Sequence, residues 1–265
     1  MKKKNNVFYE LVCVMKKLRD EGGCPWDKEQ TRDSIKPYLI EETYEVLEAI
    51  EKKNPHKIKE ELGDLLFQII FHAKFAEEQK EFDIFDVCQH IKEKMIRRHP
   101  HVFGSTEVTC LKEVLKQWED IKSKEPKNAD RKSAMDGVPK KLPSLLRAYR
   151  FQEKAARAGF DWDKLEQVFE KVEEELAEMK QTFSDKNHIE MEGELGDVLF
   201  SLVNIARFIK VSPEEALRKA IEKFIKRFKY IEEETAKKGI DFKDLSLQEM
   251  DRYWNEAKKS RRPLL

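Results

Sequence analysis

Carboxylate side chains occur in pairs three residues apart at four places in the sequence. The pairs are Glu42 with Glu45 and Glu61 with Asp64 in the first half, and Glu175 with Glu178 and Glu194 with Asp197 in the second. Residues three apart on an α-helix lie on one face, so each pair directs two carboxylates towards one point. Apolar residues flank the pairs at helical spacing, which predicts that two such helices pack together and bring four carboxylates close.

Four carboxylates in one partly buried cleft repel each other, and burial disfavours their ionised forms. A hard divalent cation relieves both effects, and Mg²⁺ prefers oxygen ligands while keeping several waters. The sequence therefore predicts an Mg²⁺ site, with Mn²⁺ as an alternative ion. A di-iron site would need Glu-x-x-His on two helices, whereas the third-residue partner here is Asp64 or Asp197. A solvated acidic helix face is the competing explanation of any single pair.

The two halves of the chain are an internal repeat, which argues against chance spacing. Glu61-Leu62-Gly63-Asp64 recurs as Glu194-Leu195-Gly196-Asp197, and the acid pair before it recurs at the same offset. A glycine inside a helix costs about 1 kcal/mol relative to alanine. Gly63 and Gly196 therefore indicate either close helix approach or access for a ligand.

Basic and aromatic side chains are duplicated as well, four residues apart in each copy. They are Lys94 with Arg98 and Trp118 with Lys122 in the first half, and Lys223 with Arg227 and Trp254 with Lys258 in the second. Arginine offers a fork that matches phosphate oxygens, and lysine offers a compact positive charge. Together with the acids, these cations indicate a polyphosphate ligand. Solvated cations and a core role for Trp254 are the structural alternatives.

The elements that must position these residues are predicted to be helices throughout. Only 9 Gly and 9 Pro occur in 265 residues, and 39% charged residues are typical of amphipathic, largely exposed helices. Apolar periodicity and capping signals predict helices over 8–18, 34–53, 58–78, 83–98, 111–121, 145–158, 165–183 and 189–210, and two more starting at Ser212-Pro213 and at Ser246.

We therefore predict an all-α fold of two tandem helical modules with cores of the four-helix-bundle type. A polar, proline-punctuated stretch without periodicity separates the modules and is the predicted linker. The predicted organisation is an N-terminal domain over 1–124, a linker over 125–142 and a C-terminal domain over 143–265.

Composition excludes several classes of protein. Lys plus Arg and Asp plus Glu are equal at 52 each, so the chain lacks the basic excess of a nonspecific nucleic-acid binder. No apolar run reaches the length of a membrane span and no export signal is recognisable, so we expect a cytoplasmic protein without membrane or direct nucleic-acid binding. Four cysteines without a CxxC pair predict free thiols.

The combination of motifs resembles the MazG family of tandem-domain nucleoside triphosphate pyrophosphohydrolases, within the all-α NTP pyrophosphatase superfamily. The resemblance covers nearly the whole chain and rests on EExxE followed by ExxD in both halves, Gly-Cys-Pro-Trp-Asp at 23–27, Arg-Arg-His-Pro-His-Val-Phe-Gly at 97–104 and Gln-Glu-Lys-Ala-Ala at 152–156. It implies Mg²⁺-dependent cleavage of nucleoside triphosphates to monophosphate and diphosphate, with broad base tolerance and a role in clearing the nucleotide pool. It also implies a homodimer in which helices of two subunits complete the bundles.

The resemblance assigns roles to the residues of each copy. It implies that the second copy is the main catalytic one, with Glu175, Glu178, Glu194 and Asp197 holding the metal and Lys223, Arg227, Trp254 and Lys258 holding the nucleotide. The first copy carries the matching residues Glu42, Glu45, Glu61 and Asp64, and Lys94, Arg98, Trp118 and Lys122. Glu174, beside the catalytic ligand Glu175, is the candidate base or water-orienting group. A helical protein that senses a nucleotide or binds a partner without turnover is the rival hypothesis.

Overall fold

All the long regular elements in the described residues are helices, joined by turns and loops, so the predicted all-α class is confirmed. The computed structural model describes residues 7–123, 125, 133–185 and 187–259, and no strand occurs in those ranges. The contacts divide the chain into two compact units, Met1–Ala129 and Asp130–Leu265. The predicted linker over 125–142 lies partly outside the described residues. No helix within them has the length and apolar character to cross a membrane.

The described part of the first unit contains seven helices. They are α1 (Val7–Arg19), α2 (Pro25–Glu29), α3 (Lys36–Glu51), α4 (Pro55–Glu78), α5 (Ile84–Arg98), α6 (Pro100–Phe103) and α7 (Leu111–Ser123). α3 packs along α4, and α4 also contacts α1 and α5. The core of this unit gathers Met15, Ile35, Ile70, Phe71 and Phe75, each at most 4% exposed.

The described part of the second unit repeats the arrangement with five α-helices and one turn of 3-10 helix. They are α8 (Ser144–Arg157), α9 (Leu165–Asp185), α10 (His188–Phe208), α11 (Pro213–Lys237), the turn Phe242–Asp244 and α12 (Leu247–Lys259). α9 packs along α10 as α3 does along α4, α8 lies against α10 and α11, and α12 packs on α11. This pairing of α9 with α10 is what positions the acids of the second repeat.

Side-chain caps fix where several helices begin. The Asp83 carboxylate accepts hydrogen bonds from the backbone N–H groups of Phe85 and Asp86, and Asp86 accepts one in return from the backbone of Asp83. Ser246 and Glu249 form the same reciprocal arrangement before α12. Such boxes satisfy N–H groups that a helix end leaves unpaired. The predicted starts of α5 and α12 are confirmed.

One buried ion pair ties the end of α5 to the chain after α7. Arg98 Nε and Nη2 donate to Oε1 and Oε2 of Glu125 at 2.8 and 2.5 Å, and Arg97 Nη2 donates to Oε1 at 3.0 Å. The side chains of Arg98 and Glu125 are only 6% and 3% exposed. The bonds from Arg98, reinforced by Arg97, lower the pKa of Glu125 from its ordinary 4.5 to about 2.

The stability that Glu125 contributes should depend on pH in a defined direction. Because the folded protein lowers its pKa, the contribution is fully present above about pH 4.5 and is lost as the pH falls from there towards 2. Chemical denaturation of the natural chain and of Glu125→Gln at about pH 7 and pH 3.5 should therefore show a smaller difference in unfolding free energy at the lower pH. An equal difference at both pH values would contradict this assignment.

Candidate active site

The acid pairs of the second unit converge between α9 and α10. Carboxylate oxygens of Glu175, Glu194 and Asp197 lie within 4.8 Å of one another. α9 supplies Glu175 and α10 supplies the other two. The three carboxylates therefore meet because the spacing along α10 puts two of them on one face and because α9 packs against α10. Glu178, the fourth predicted ligand, is close enough to Glu194 to raise the pKa of Glu194 by repulsion.

The electrostatics of this cluster fit a bound divalent cation. Burial raises the pKa of Glu194, and repulsion from Glu178, Asp197 and Glu175 raises it further. Glu194 Oε2 is buried and has no hydrogen-bond partner among the described residues. Such an oxygen is unfavourable unless a ligand completes its coordination. A set of oxygen donors that repel one another matches the preference of Mg²⁺ or Mn²⁺.

The acids of the first unit also converge between α3 and α4, but in a different set of three. Carboxylate oxygens of Glu42, Glu45 and Glu61 lie within 4.8 Å of one another. Burial is the main reason that the pKa of Glu42 is raised. Repulsion from Asp64, the fourth predicted ligand, raises it further, and repulsion from Glu45 and Glu61 contributes less. Both units therefore gather three carboxylates, with two of them on α3 in the first unit and two on α10 in the second.

A lysine accompanies each cluster, but at different positions in the two units. Lys171 Nζ lies 2.8 Å from Glu174 Oε1 and 2.9 Å from Glu175 Oε1, and these bonds raise the pKa of the lysine. Lys57 Nζ lies 3.5 Å from Glu61 Oε1 in the first unit. The structure thus places Glu174, the candidate base, as an exposed acid held by Lys171 beside the cluster.

An aromatic pocket of about 490 Å³ opens beside the acids of the second unit and was not predicted. Glu175, Asp197 and Lys171 form part of its lining. The remaining lining is mainly aromatic or carries amide and hydroxyl groups, and it includes Phe151, Phe160, Trp162, Phe200, Gln152, Ser201 and Asn204. The pocket arises because α8 lies against α10, a contact that local sequence patterns do not record.

Two amide side chains are fixed in the lining of this pocket. Gln152 Nε2 donates to the backbone oxygen of Phe200 at 2.8 Å, and Gln152 Oε1 is buried with no hydrogen-bond partner in the described chain. Asn204 Oδ1 accepts from Arg207 Nε at 2.9 Å, and Arg207 Nη1 in turn pairs with Asp161 at 3.0 Å. The pocket thus combines aromatic surfaces with a few oriented polar groups, as small-molecule sites do.

Core side chains fill the corresponding place in the first unit. Phe71 stands at the repeat position of Asn204, is 2% exposed and belongs to the hydrophobic core. Met15 is the buried residue of α1, as Gln152 is the buried residue of α8, and it is 1% exposed. The first unit therefore has the acids and an apolar side chain at the position of Asn204, while Gln68, at the repeat position of Ser201, stays polar.

The predicted nucleotide-binding residues of the second unit lie on α11 and α12. The Arg227 guanidinium lies 5.2 Å from the centroid of the Trp254 ring, Lys258 Nζ lies 3.3 Å from Asn255 Oδ1, and Lys223 is exposed. None of the four lines the pocket. No ion pair joins them to the clustered acids in the described chain. The structure groups Arg227 with Trp254 and does not bring these residues against the acids within one unit.

Their counterparts in the first unit form a similar group. The Arg98 guanidinium lies 5.1 Å from the centroid of Trp118, and Lys122 Nζ lies 4.6 Å from the same ring. Lys94 is half-buried on α5. Arg98 differs from its counterpart because the carboxylate of Glu125 covers it.

The helical glycines beside the acids are not explained by packing inside their own units. A Cβ atom built on Gly63 or Gly196 would meet no other atom within 4 Å. Of the two predicted reasons, close helix approach is therefore wrong within each unit. Access for a ligand at Gly63 and Gly196, the other reason, stays a prediction.

Comparison with known proteins places both acid clusters inside recognised domains. Residues 30–103 and 164–231 match the MazG nucleotide pyrophosphohydrolase domain. The chain is 49% identical to the nucleoside triphosphate pyrophosphohydrolase/pyrophosphatase MazG of Thermotoga maritima, over 97% of this chain and 98% of that protein. It is 42% identical to the nucleoside triphosphate pyrophosphohydrolase of Escherichia coli K12, over 96% and 98%. An uncharacterised Bacillus subtilis protein, YabN, is 48% identical over 96% of this chain and 52% of that protein. The chain belongs to the MazG nucleotide pyrophosphohydrolase family, with one family domain in each half.

Proposed function

We propose that this chain is an Mg²⁺-dependent nucleoside triphosphate pyrophosphohydrolase whose second unit performs the chemistry. The observation that carries the proposal is the acid cluster of Glu175, Glu194 and Asp197, with a buried oxygen that lacks a partner, next to an aromatic pocket. Relatives over nearly the full length are named for the same reaction. The products are a nucleoside monophosphate and diphosphate, and the cellular role is clearance of the nucleotide pool in the cytoplasm.

The acids and Lys171 have different roles at the reacting phosphates. Glu175, Glu178, Glu194 and Asp197 hold the metal, which stabilises charge on phosphate oxygens and supplies an activated water when bound. Lys171 stays protonated because it bonds to two carboxylates, and it fixes Glu175 in the cluster. Glu174, held through one oxygen by the same lysine, is positioned to orient water or accept its proton.

The pocket suits a nucleobase. Aromatic rings such as Phe151 and Trp162 offer faces for a flat heterocycle, and an amide offers both a donor and an acceptor to its edge. Gln152 Oε1 still lacks a donor, which the base would supply. Because each base presents some combination of donors and acceptors, amide recognition supports broad base tolerance.

Exposed apolar stripes support a homodimer. Residues at i, i+4 and i+7 lie on one face of a helix. The stripes are Leu195, Leu199 and Leu202 on α10 and Leu217, Ile221 and Phe224 on α11, each 46–55% exposed. A second copy of the chain that packs on these stripes would remove them from water, and contiguous apolar surface of this kind marks interaction sites.

A product analysis tests the reaction. Each common nucleoside triphosphate, incubated with the protein and Mg²⁺, should yield monophosphate and diphosphate in equal amounts. EDTA should stop the reaction because the clustered acids then lack a counter-ion, and Mg²⁺ or Mn²⁺ should restore it. Release of a nucleoside diphosphate and inorganic phosphate would instead indicate a phosphatase. Binding of the nucleotide without any product would favour a nucleotide sensor.

Paired substitutions test which unit works. Glu175→Ala and Asp197→Ala should each lower kcat/KM at least about a hundredfold, because losing a metal ligand removes several kcal/mol of charge stabilisation. The matched first-unit variants Glu42→Ala and Asp64→Ala should keep the activity within about threefold. Equal losses from both units would show that both hydrolyse substrate, and full activity in the second-unit variants would remove the site assignment.

Filling the pocket tests where the base binds. Asn204→Phe copies the residue of the first unit and should raise KM for nucleoside triphosphates by about tenfold or more, equivalent to about 1.4 kcal/mol of binding. Asn204→Ala, which enlarges the pocket, is the matched control and should raise KM less. An unchanged KM in the filled variant would place the base elsewhere.

A further inference from the structure

Both units carry the same arrangement of an arginine on a tryptophan. The guanidinium of Arg227 lies 5.2 Å from the ring centroid of Trp254, and that of Arg98 lies 5.1 Å from the ring centroid of Trp118. Each tryptophan is followed by a lysine four residues later. The cationic group that the resemblance to the MazG family assigns to the nucleotide in the second unit therefore has a counterpart in the first.

In the first unit a carboxylate already binds this arginine. Glu125 accepts from Nε and Nη2 of Arg98 at 2.8 and 2.5 Å, so its two oxygens occupy the fork of the guanidinium. That two-point geometry is the one by which arginine binds a phosphate group. Arg97 adds a third bond at 3.0 Å, and Lys122 Nζ lies over the same tryptophan. Glu125 thus accepts hydrogen bonds from two arginines, as a phosphate could, beside a tryptophan that also carries Lys122.

The second unit carries a positive instead of a negative residue at the position that matches Glu125. Counted from the repeated tryptophan, the residue that matches Glu125 is Arg261, which lies outside the described residues. Arg227 is half-buried, whereas Arg98 is 5% exposed. Within the described chain no carboxylate pairs with Arg227. The first arginine therefore has an anion in the chain itself, and the second has none among the described residues.

We infer that the first unit retains a phosphate-binding site at Arg98, Trp118 and Lys122, and that Glu125 occupies this site as an internal anion. The ligand class is a phosphate or polyphosphate anion without a recognised base, because the buried Phe71 stands at the repeat position of the pocket residue Asn204. Removing the carboxylate while keeping the fold leaves buried positive charge that an external anion can neutralise. The inference rests on the proposed function only in so far as Arg227 of the catalytic unit binds a substrate phosphate, which the resemblance to the MazG family implies.

The test uses inorganic tripolyphosphate, which has no base, and the full-length chain in buffer with EDTA so that no turnover occurs. Isothermal titration should show that Glu125→Gln gains one tripolyphosphate site per chain that the natural chain lacks. Adding Arg98→Gln to that variant should abolish the gain. Equal stoichiometry and affinity in the natural chain and Glu125→Gln would overturn the inference, and so would a gain that survives Arg98→Gln.

The matched control is Glu78→Gln, which removes the acid partner of another buried arginine in the same unit. Arg19 has a side chain 8% exposed and bonds to Glu78 at 2.7 Å, but it has no tryptophan or lysine partner of the kind described above. Glu78→Gln should gain no site. A gain equal to that of Glu125→Gln would show nonspecific binding at any uncovered arginine and would overturn the inference.

Two further measurements keep the outcome interpretable. If Glu125→Gln fails to fold by circular dichroism, Glu125→Asp keeps the charge but is one methylene too short to fill the fork, so it should show a weaker site that Arg98→Gln again removes. No binding to a folded Glu125→Asp would then overturn the inference. Failure of the proposed function would appear separately, as absence of monophosphate release by the natural chain, and would leave the comparison of Glu125→Gln with its Arg98→Gln derivative unaffected.

Discussion

Repulsion among carboxylates on two packed helices is the constraint on which the rest of the structure depends. The apolar stripes that hold α3 to α4 and α9 to α10 also hold the acids together, so the charges cannot separate without exposing the core. Lys57 and Lys171 relieve part of this repulsion, but Glu190 and Tyr38 stand at their repeat positions. The acids therefore recur in both units while their internal partners do not. Internal ion pairing cannot be the reason that both units carry them, and a ligand supplied from outside can.

The surroundings of the acids distinguish the units more sharply than the acids themselves. Phe71 packs in the core where the second unit has Asn204, and burying a phenylalanine stabilises a fold by about 1.5–3 kcal/mol. Both units keep a buried amide oxygen without a partner among the described residues, on Gln68 and on Gln152, but the second unit also keeps a pocket beside its acids, and such a cavity costs stability. Local departures from good packing are expected where a protein binds its ligand. The pocket beside Glu175 and Asp197 therefore makes the second unit the better candidate for catalysis.

Much of the fold was predictable because its signals are local. Periodicity and caps located the long helices, and the i,i+3 spacing predicted that Glu175, Glu194 and Asp197 converge. The short helices α2 and α6 escaped prediction because five or four residues show no periodicity. The pocket escaped because it depends on α8 meeting α10, and Glu125 escaped because its partner lies 27 residues away in the chain. The contrast between Phe71 and Asn204 was visible in the repeat, but only packing shows that it separates core from cavity.

The two arginine–tryptophan groups show how one arrangement can serve either stability or binding. A guanidinium fork accepts a carboxylate or a phosphate with the same geometry, so the group itself does not decide which it holds. What decides is whether the chain supplies the anion. Once buried, such a cation needs a partner, since an uncompensated charge costs more than the pair contributes. In the first unit Glu125 meets that need from within and ties down the chain after α7. In the second unit Arg227 is half-buried beside Trp254, and no carboxylate among the described residues pairs with it, so an anion from outside could bind there.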